Sequence, residues 1–336
     1  MTIYDIAEKA GVSASTVSRV INGKPGIRDA TRQKVLALLE EYHYSPNTAA
    51  RGLATQSSHF IGILIEDIRV SHHTDAVWTI EQEMMRAGYT CITLSTGTTP
   101  EGKAQAIQIL QQRAVDGVIL IGSMFSLDCV RTSILKYLFN TPVVMINGQI
   151  DLLNVYSILI DEERGMEACT AAMLEKGCSH PVLLISTDTP SNRSKLEGFR
   201  SAIQKSGRTF DASCVFNTTA DSMDPLAGMR EADEMCGRIL EEKPDTDCII
   251  CIDDILAVGV LHGLSRRGKS VPGDISVTGM DNTLYGRVST PTLTSIDNKI
   301  EEAGITAARK LLSVLAGNEE PRTVIIPTEL IRRDSA

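Results

Sequence analysis

Two sets of side chains in this 336-residue chain have the types and spacing for recognition chemistry. The first is Ser13, Ala14, Ser15, Thr16, Ser18, Arg19 and Asn22, within GVSASTVSRVING. Hydroxyls and the Asn amide bond either phosphates or base edges, and Arg19 carries the fork that matches guanine O6 and N7. The second set is Asn147, Asp253 and Asp281, which follow the apolar runs PVVMI, CIICI and ISVTGM. Each stands just past the carboxyl end of an expected buried strand, where ligands of open α/β sheets bind. With Arg193 and Lys195 of NRSKLEGF, and with Arg69, His72 and His73 in the first strand-to-helix loop, they can bind hydroxyls in pairs, as a sugar or similar metabolite requires. Asn147 and Asp253 equally suit helix N-caps, and the two histidines a solvated loop. A metal at the histidine pair needs further ligands that the sequence does not identify.

The elements that position the first set are short helices. Thr2 suits an N-cap, and Ile3, Ile6, Ala7 and Ala10 recur at helical spacing until Gly11. Ser13 suits the cap of a second helix with Val17, Val20 and Ile21 inward and Ser15, Thr16, Ser18, Arg19 and Asn22 outward. Two short helices joined by a Gly-containing turn make the helix-turn-helix pattern. The same pattern suits a small helical hairpin with a solvated polar face. Val35, Leu36, Leu38 and Leu39 supply a stripe for a third helix, with Asp29 at the positive end of its dipole. After Pro46, NTAARGLA is helix-competent but too brief to be stable alone.

IYDIAEKAGVSASTVSRVING, TRQKV and YSPNTAARGLA, in this order, closely resemble the lactose-repressor (LacI/GalR) family of bacterial transcription regulators. The resemblance implies a DNA-reading headpiece over residues 1–45, to which Tyr4 and Arg28 also belong, and a hinge helix with linker over 46–58. It places Asn47, Ala50, Arg51 and Leu53 in a hinge that folds when two copies meet in the minor groove, with Leu53 as the apolar wedge. Arg28 stands where relatives usually carry a Ser or Thr cap, a loss of about 1 kcal/mol that a phosphate contact would offset. Ala14 and Ser15, at the positions the family uses most to choose its operator, are small, which shifts readout toward Arg19 and groove shape.

From Phe60 onward, apolar runs alternate with amphipathic segments in two successive series, so the fold class is α/β, two doubly wound units with a cleft between them. VPGDISVTGMDNT, PTLTSI, IEEAGITAARKLL and PTELIRRDS resemble the family's periplasmic-binding-protein-like effector core, expected here over 59–336. In that fold the chain crosses between subdomains three times, here near 160, 290 and 320, giving an N-subdomain of about 59–160 and 291–320 and a C-subdomain of about 161–290 and 321–336. Lys195 falls where many relatives have Arg, and Arg69, His72 and His73 replace the family's frequent Asn-Pro-aromatic pattern.

GLSRRGKS, residues 263–270, fits the Walker A pattern. Such a loop must follow a strand and open a helix, whereas these glycines close one, so Gly268 reads as a C-cap and Lys269 as a surface charge. No catalytic motif or cofactor fingerprint is found. The eight cysteines are scattered, and the Cys248–Cys251 pair lies in a strand-like run that points its thiols to opposite faces, so buried reduced thiols are expected. The net charge is −9, yet residues 1–58 hold seven Lys and Arg against five Asp and Glu, a net +2 that leaves −11 for the rest. That asymmetry concentrates attraction for DNA in the N-terminal unit. No apolar run approaches a membrane span and no leader is recognised, so the expected location is the cytoplasm. The expected protein is a homodimeric, DNA-binding repressor on a pseudo-palindromic operator, controlled by a small molecule of carbohydrate type. A sugar-binding protein without DNA function and a P-loop protein are the rival readings.

Overall fold

Local hydrogen bonding explains where the first helices begin. In this computed structural model, which describes residues 2–21, 23–43, 57–219 and 224–336, Thr2 and Asp5 form a capping box at the start of α1 (Ile3–Ala10). The Asp5 N–H donates to Thr2 Oγ1 at 3.3 Å and the Thr2 N–H to Asp5 Oδ2 at 2.7 Å. Two further helices, α2 (Ala14–Ile21) and α3 (Asp29–Glu41), close over Ile6, Val17 and Val35, all fully buried. Leu36 does not join this core; it is 42% exposed, because the inward stripe of α3 runs through Val35, Leu38 and Leu39. Arg28 precedes α3 in extended conformation with no side-chain cap. Asn22, Asn47, Ala50, Arg51 and Leu53 lie outside the described residues.

Residues 59–336 form a separate unit with two six-stranded sheets. In the first, β1 (Phe60–Ile65), β2 (Thr90–Ser95), β3 (Gly117–Ile121), β4 (Val143–Ile146), β5 (Val155–Ile160) and β11 (Thr323–Ile326) are all parallel, in the order β11-β5-β4-β3-β1-β2. The second orders β12 (Glu329–Ile331), β10 (Thr294–Asp297), β9 (Ser276–Met280), β8 (Cys248–Cys251), β6 (Pro181–Ile185) and β7 (Val215–Asn217), with only β12 antiparallel. Central strands such as GVILI and CIIC are buried throughout because helices cover both faces. Around the first sheet lie α4 (Ser71–Arg86), α5 (Pro100–Gln112), α6 (Asp128–Tyr137) and α12 (Ile300–Leu315). Around the second lie α7 (Glu162–Lys176), α8 (Pro190–Lys205), α9 (Pro225–Glu242), α10 (Asp254–Arg266) and α11 (Leu284–Val288).

The chain passes between sheets after β5, after β10 and after β11. The second and third passages therefore fall later than the expected 290 and 320. β10 pairs with β9, Ile296 opposite Met280, and so stays with the second sheet; β11 pairs with β5, Thr323 opposite Ser157, and so belongs to the first. Apolar runs identify strands, but only pairing decides which sheet they join.

On α4, Ile80 and Met84 face the core and are buried, whereas Trp78 is 62% exposed on the other face. The Walker-like GLSRRGKS closes α10: Gly268 has φ 69°, its N–H bonds the Ser265 carbonyl at 3.1 Å, and the Lys269 N–H bonds that of Leu264 at 3.0 Å. This is a helix stop in a left-handed residue, with Lys269 exposed. All eight cysteines are free, and Cys248 and Cys251 are buried in β8.

Candidate functional site

In the N-terminal unit, the hydroxyls cluster at the start of α2. Ser13 Oγ accepts from the Thr16 N–H at 3.2 Å and lies 2.7 Å from Ser15 Oγ and 2.9 Å from Thr16 Oγ1. A helix N-terminus ringed by hydroxyls is suited to a phosphate. Ser15, Arg19 and Tyr4 are exposed and Thr16 and Ser18 half-buried, whereas Ala14 packs against the headpiece core. Arg19 Nη2 donates to the Pro25 carbonyl at 3.2 Å and Arg32 Nη2 to that of Lys24 at 2.8 Å. Both guanidinium groups brace the loop that follows α2.

Between the two sheets of the core lies a cavity of about 160 Å³, walled by the carboxyl ends of strands from both sides. Arg69, His72, His73, Asn147, Lys195, Asp253 and Asp281 all line it. Arg193 does not. Its guanidinium takes both oxygens of Asp188, at 2.7 and 2.8 Å, and points to solvent, because a spacing of two residues along helix α8 puts Arg193 and Lys195 on opposite faces. His72 and His73 sit in the first turn of α4 rather than in the preceding loop, since the helix already begins at Ser71.

The second sheet supplies most of the charge. Lys195 is buried; its Nζ donates to the Ile252 carbonyl at 3.2 Å and lies 3.5 Å from Glu162 Oε1. Burial opposes its ammonium form, but Glu162, Asp281 and Asp253 outweigh this and hold its pKa above the usual lysine value. Asp253 caps α10, accepting from the Leu256 N–H at 2.8 Å, and burial still pushes its carboxyl up to about 6. Asn147, with φ 55°, caps nothing, since β5 is the next element. Asp281 has φ 92°, a conformation costly for a residue with a side chain, and its Oδ1 accepts from Asn298 Nδ2 at 2.7 Å. Burial raises Asp281 to about 6 against the pull of Lys195.

Two contacts bridge the subdomains here. His72 Nδ1 lies 3.4 Å from Asp281 Oδ2, and the Ser191 N–H donates to Ser123 Oγ at 3.4 Å. Burial, and then the Lys195 ammonium, hold His72 down at about 4, so its imidazole is neutral. His73 is likewise neutral by burial, and its Nδ1 is buried without a hydrogen-bond partner.

Sequence reasoning missed Glu162, Asn192 and Asp254 in this wall. Asp254 is fully buried, accepts from the Thr283 N–H and hydroxyl and from Ser295 Oγ at 2.6 to 2.9 Å, and is raised by burial to about 7. Its place beside Asp253 was the available signal. Glu162 reads in sequence as an ordinary first-turn acid of α7, and Asn192 as a first-turn residue of α8.

Residues 2–47 match the family described as bacterial regulatory proteins, lacI family, and residues 170–336 match the periplasmic binding protein-like domain. An HTH-type transcriptional regulator of Lachnoclostridium phytofermentans is 30% identical over 339 residues, covering 99% of this chain and 98% of that protein. The chain belongs to the lacI family. Among solved structures, the Lac repressor dimer bound to operator and the anti-inducer ONPF is similar, with a TM-score of 0.87 at 24% identity, covering 100% of this chain and 98% of that one. A complex of the transcriptional regulator CelR with cellobiose has a TM-score of 0.71 at 24% identity, covering 100% of both chains. This lacI-family chain is thus a DNA-binding transcription regulator rather than an enzyme. Among its described residues, no helix is long and apolar enough to cross a membrane.

Proposed function

We propose that this lacI-family regulator is a repressor that binds a pseudo-palindromic operator as a homodimer and is controlled by a small hydroxyl-rich metabolite held in the cleft. The observation that carries this reading is the cavity itself, in which polar groups of both subdomains face one another across contacts as thin as His72 to Asp281 at 3.4 Å. A ligand bonded to both walls replaces such contacts and changes the angle between subdomains, which is the differential interaction that allosteric control requires. Cellobiose in the similar CelR complex supports a carbohydrate.

The dimer reading is supported by apolar side chains left outside the core. Trp78 and Met85 lie seven residues apart on one face of α4, and Leu284 and Val288 lie on α11, each more than half exposed. Large apolar groups collected on single helix faces are characteristic of interfaces. In this reading Ser13, Ser15, Thr16, Ser18 and Arg19, together with Asn22, meet DNA at and around α2, Tyr4 and Arg28 approach the backbone, and Asn47, Ala50, Arg51 and Leu53 act at the minor groove.

The test is a thermal-shift screen of sugars on the full chain, followed by footprinting upstream of its own gene with each stabilising compound. A hit should change operator affinity by at least about fivefold, the low end of measured allosteric couplings. Compounds that bind the core but leave operator affinity unchanged would remove the effector role.

A further inference from the structure

We propose that the cleft is built for a compact sugar that carries an ammonium group beside its hydroxyls, a hexosamine in class, in preference to a neutral or anionic sugar. This rests on the cleft being the effector site. The charges of the wall do not balance. Glu66 is answered by Lys103, whose Nζ lies 2.6 Å from Glu66 Oε1, and Asp254 is answered by Thr283 and Ser295. Arg69 is committed to Asp67, with Nη2 2.6 Å from Oδ2. Glu162, Asp253 and Asp281 are left around the single buried ammonium of Lys195. Among the described residues, Asp253 has no cationic partner within ion-pair distance, and Asp281 has only the neutral imidazole of His72. A phosphate or carboxylate entering this wall meets surplus negative charge. Hydroxyls satisfy its acceptors but leave that charge in place, whereas an ammonium removes one unit of it.

Three independent observations point to a ligand of this kind. His73 lines the cavity, is 8% exposed, and holds a buried Nδ1 with no hydrogen-bond partner, a polar group whose bonding the closed cleft leaves incomplete. No Phe, Tyr or Trp lines the wall among the described residues, so a neutral sugar ring finds no aromatic face to stack on. The cavity of about 160 Å³ is small beside the roughly 300–1,000 Å³ of common ligand pockets, which fits one ring better than two.

The same arrangement supplies a second readout. Asp281 faces Lys195, Glu162, Asp297, Asp254, Asp253 and His72, and Asp253 faces Lys195 and Asp281; both acids keep their protons up to about 6. An ammonium beside them favours both carboxylates and so expels protons on binding.

The experiment is calorimetry on the full chain with glucosamine, galactosamine and mannosamine, each against its parent hexose and its 6-phosphate, at pH 7.5 and 5.5. At least one hexosamine should bind about tenfold or more tightly than its parent at pH 7.5, lose most of that advantage at pH 5.5, and release protons measurable as a buffer-dependent heat. Asp281→Asn and, as a second variant should the first fail to fold, Asp253→Asn should reduce the amine preference below about threefold. Parent hexoses binding as tightly as the amines, tighter binding of any phosphate, or no binding by any hexosamine overturns the proposal. If a neutral sugar binds and shifts operator affinity, the effector site stands and only the amine assignment fails.

Discussion

At the scale of the residue, Asp281 gathers the cleft's chemistry. It ends β9 in a left-handed conformation, accepts from Asn298, faces His72 across the cleft and shares Lys195 with Glu162. An ordinary Asp titrates at 3.8, whereas burial moves Asp281 to about 6, so folding takes up a proton between these values. Its contribution to stability is complete below about pH 4 and is lost as the pH rises through about 6. Wild-type stability minus that of Asp281→Asn should therefore fall by about 2 kcal/mol between pH 4.5 and 7, read from urea midpoints of both proteins. A difference that stays flat with pH contradicts the buried carboxyl. Asp281 was legible in the sequence because a short acid after an apolar run marks a strand's carboxyl end. Arg193 misled because residue type and proximity to Lys195 said nothing of Asp188, which holds it outside the cavity.

At the scale of the element, helix pairs set the walls in place through close backbone contact. A Cβ on Gly198 of α8 would meet the Glu163 carbonyl and the Glu167 N–H of α7, which are backbone and cannot swing away. Gly198→Ala should force α7 and α8 apart and cost about 2 kcal/mol in urea unfolding. It should also weaken ligand binding, because Lys195 and Glu162 ride on these two helices; unchanged stability would mean that the helices yield freely. Gly198 looks unremarkable in KLEGF, since a glycine's neighbours across a helix crossing are remote in sequence. The caps were more legible: Thr2, Ser13 and Asp253 each lie within three residues of the N–H groups they satisfy.

At the scale of the molecule, a helical headpiece and a two-sheet core are joined in one chain, and the proposed control requires the cleft to influence how two copies present their headpieces. Leu53→Ala in the full chain should weaken specific operator binding by about tenfold or more, consistent with loss of an apolar wedge, and leave ligand affinity of the core unchanged. Gel-shift titration and calorimetry measure the two quantities separately, and an unchanged operator affinity removes the wedge role. The sequence by itself determined the headpiece helices, the alternation of strand and helix, and the strand-end positions of Asn147, Asp253 and Asp281. All of these follow from short-range periodicity and capping. Tertiary structure alone decided that β10 and β11 lie in different sheets, that Arg193 turns outward while Glu162 and Asp254 turn in, and that three acids converge on one lysine. Those outcomes depend on strand pairing and on side chains brought together from distant segments, and burial then raises the carboxyls of Asp253, Asp254 and Asp281.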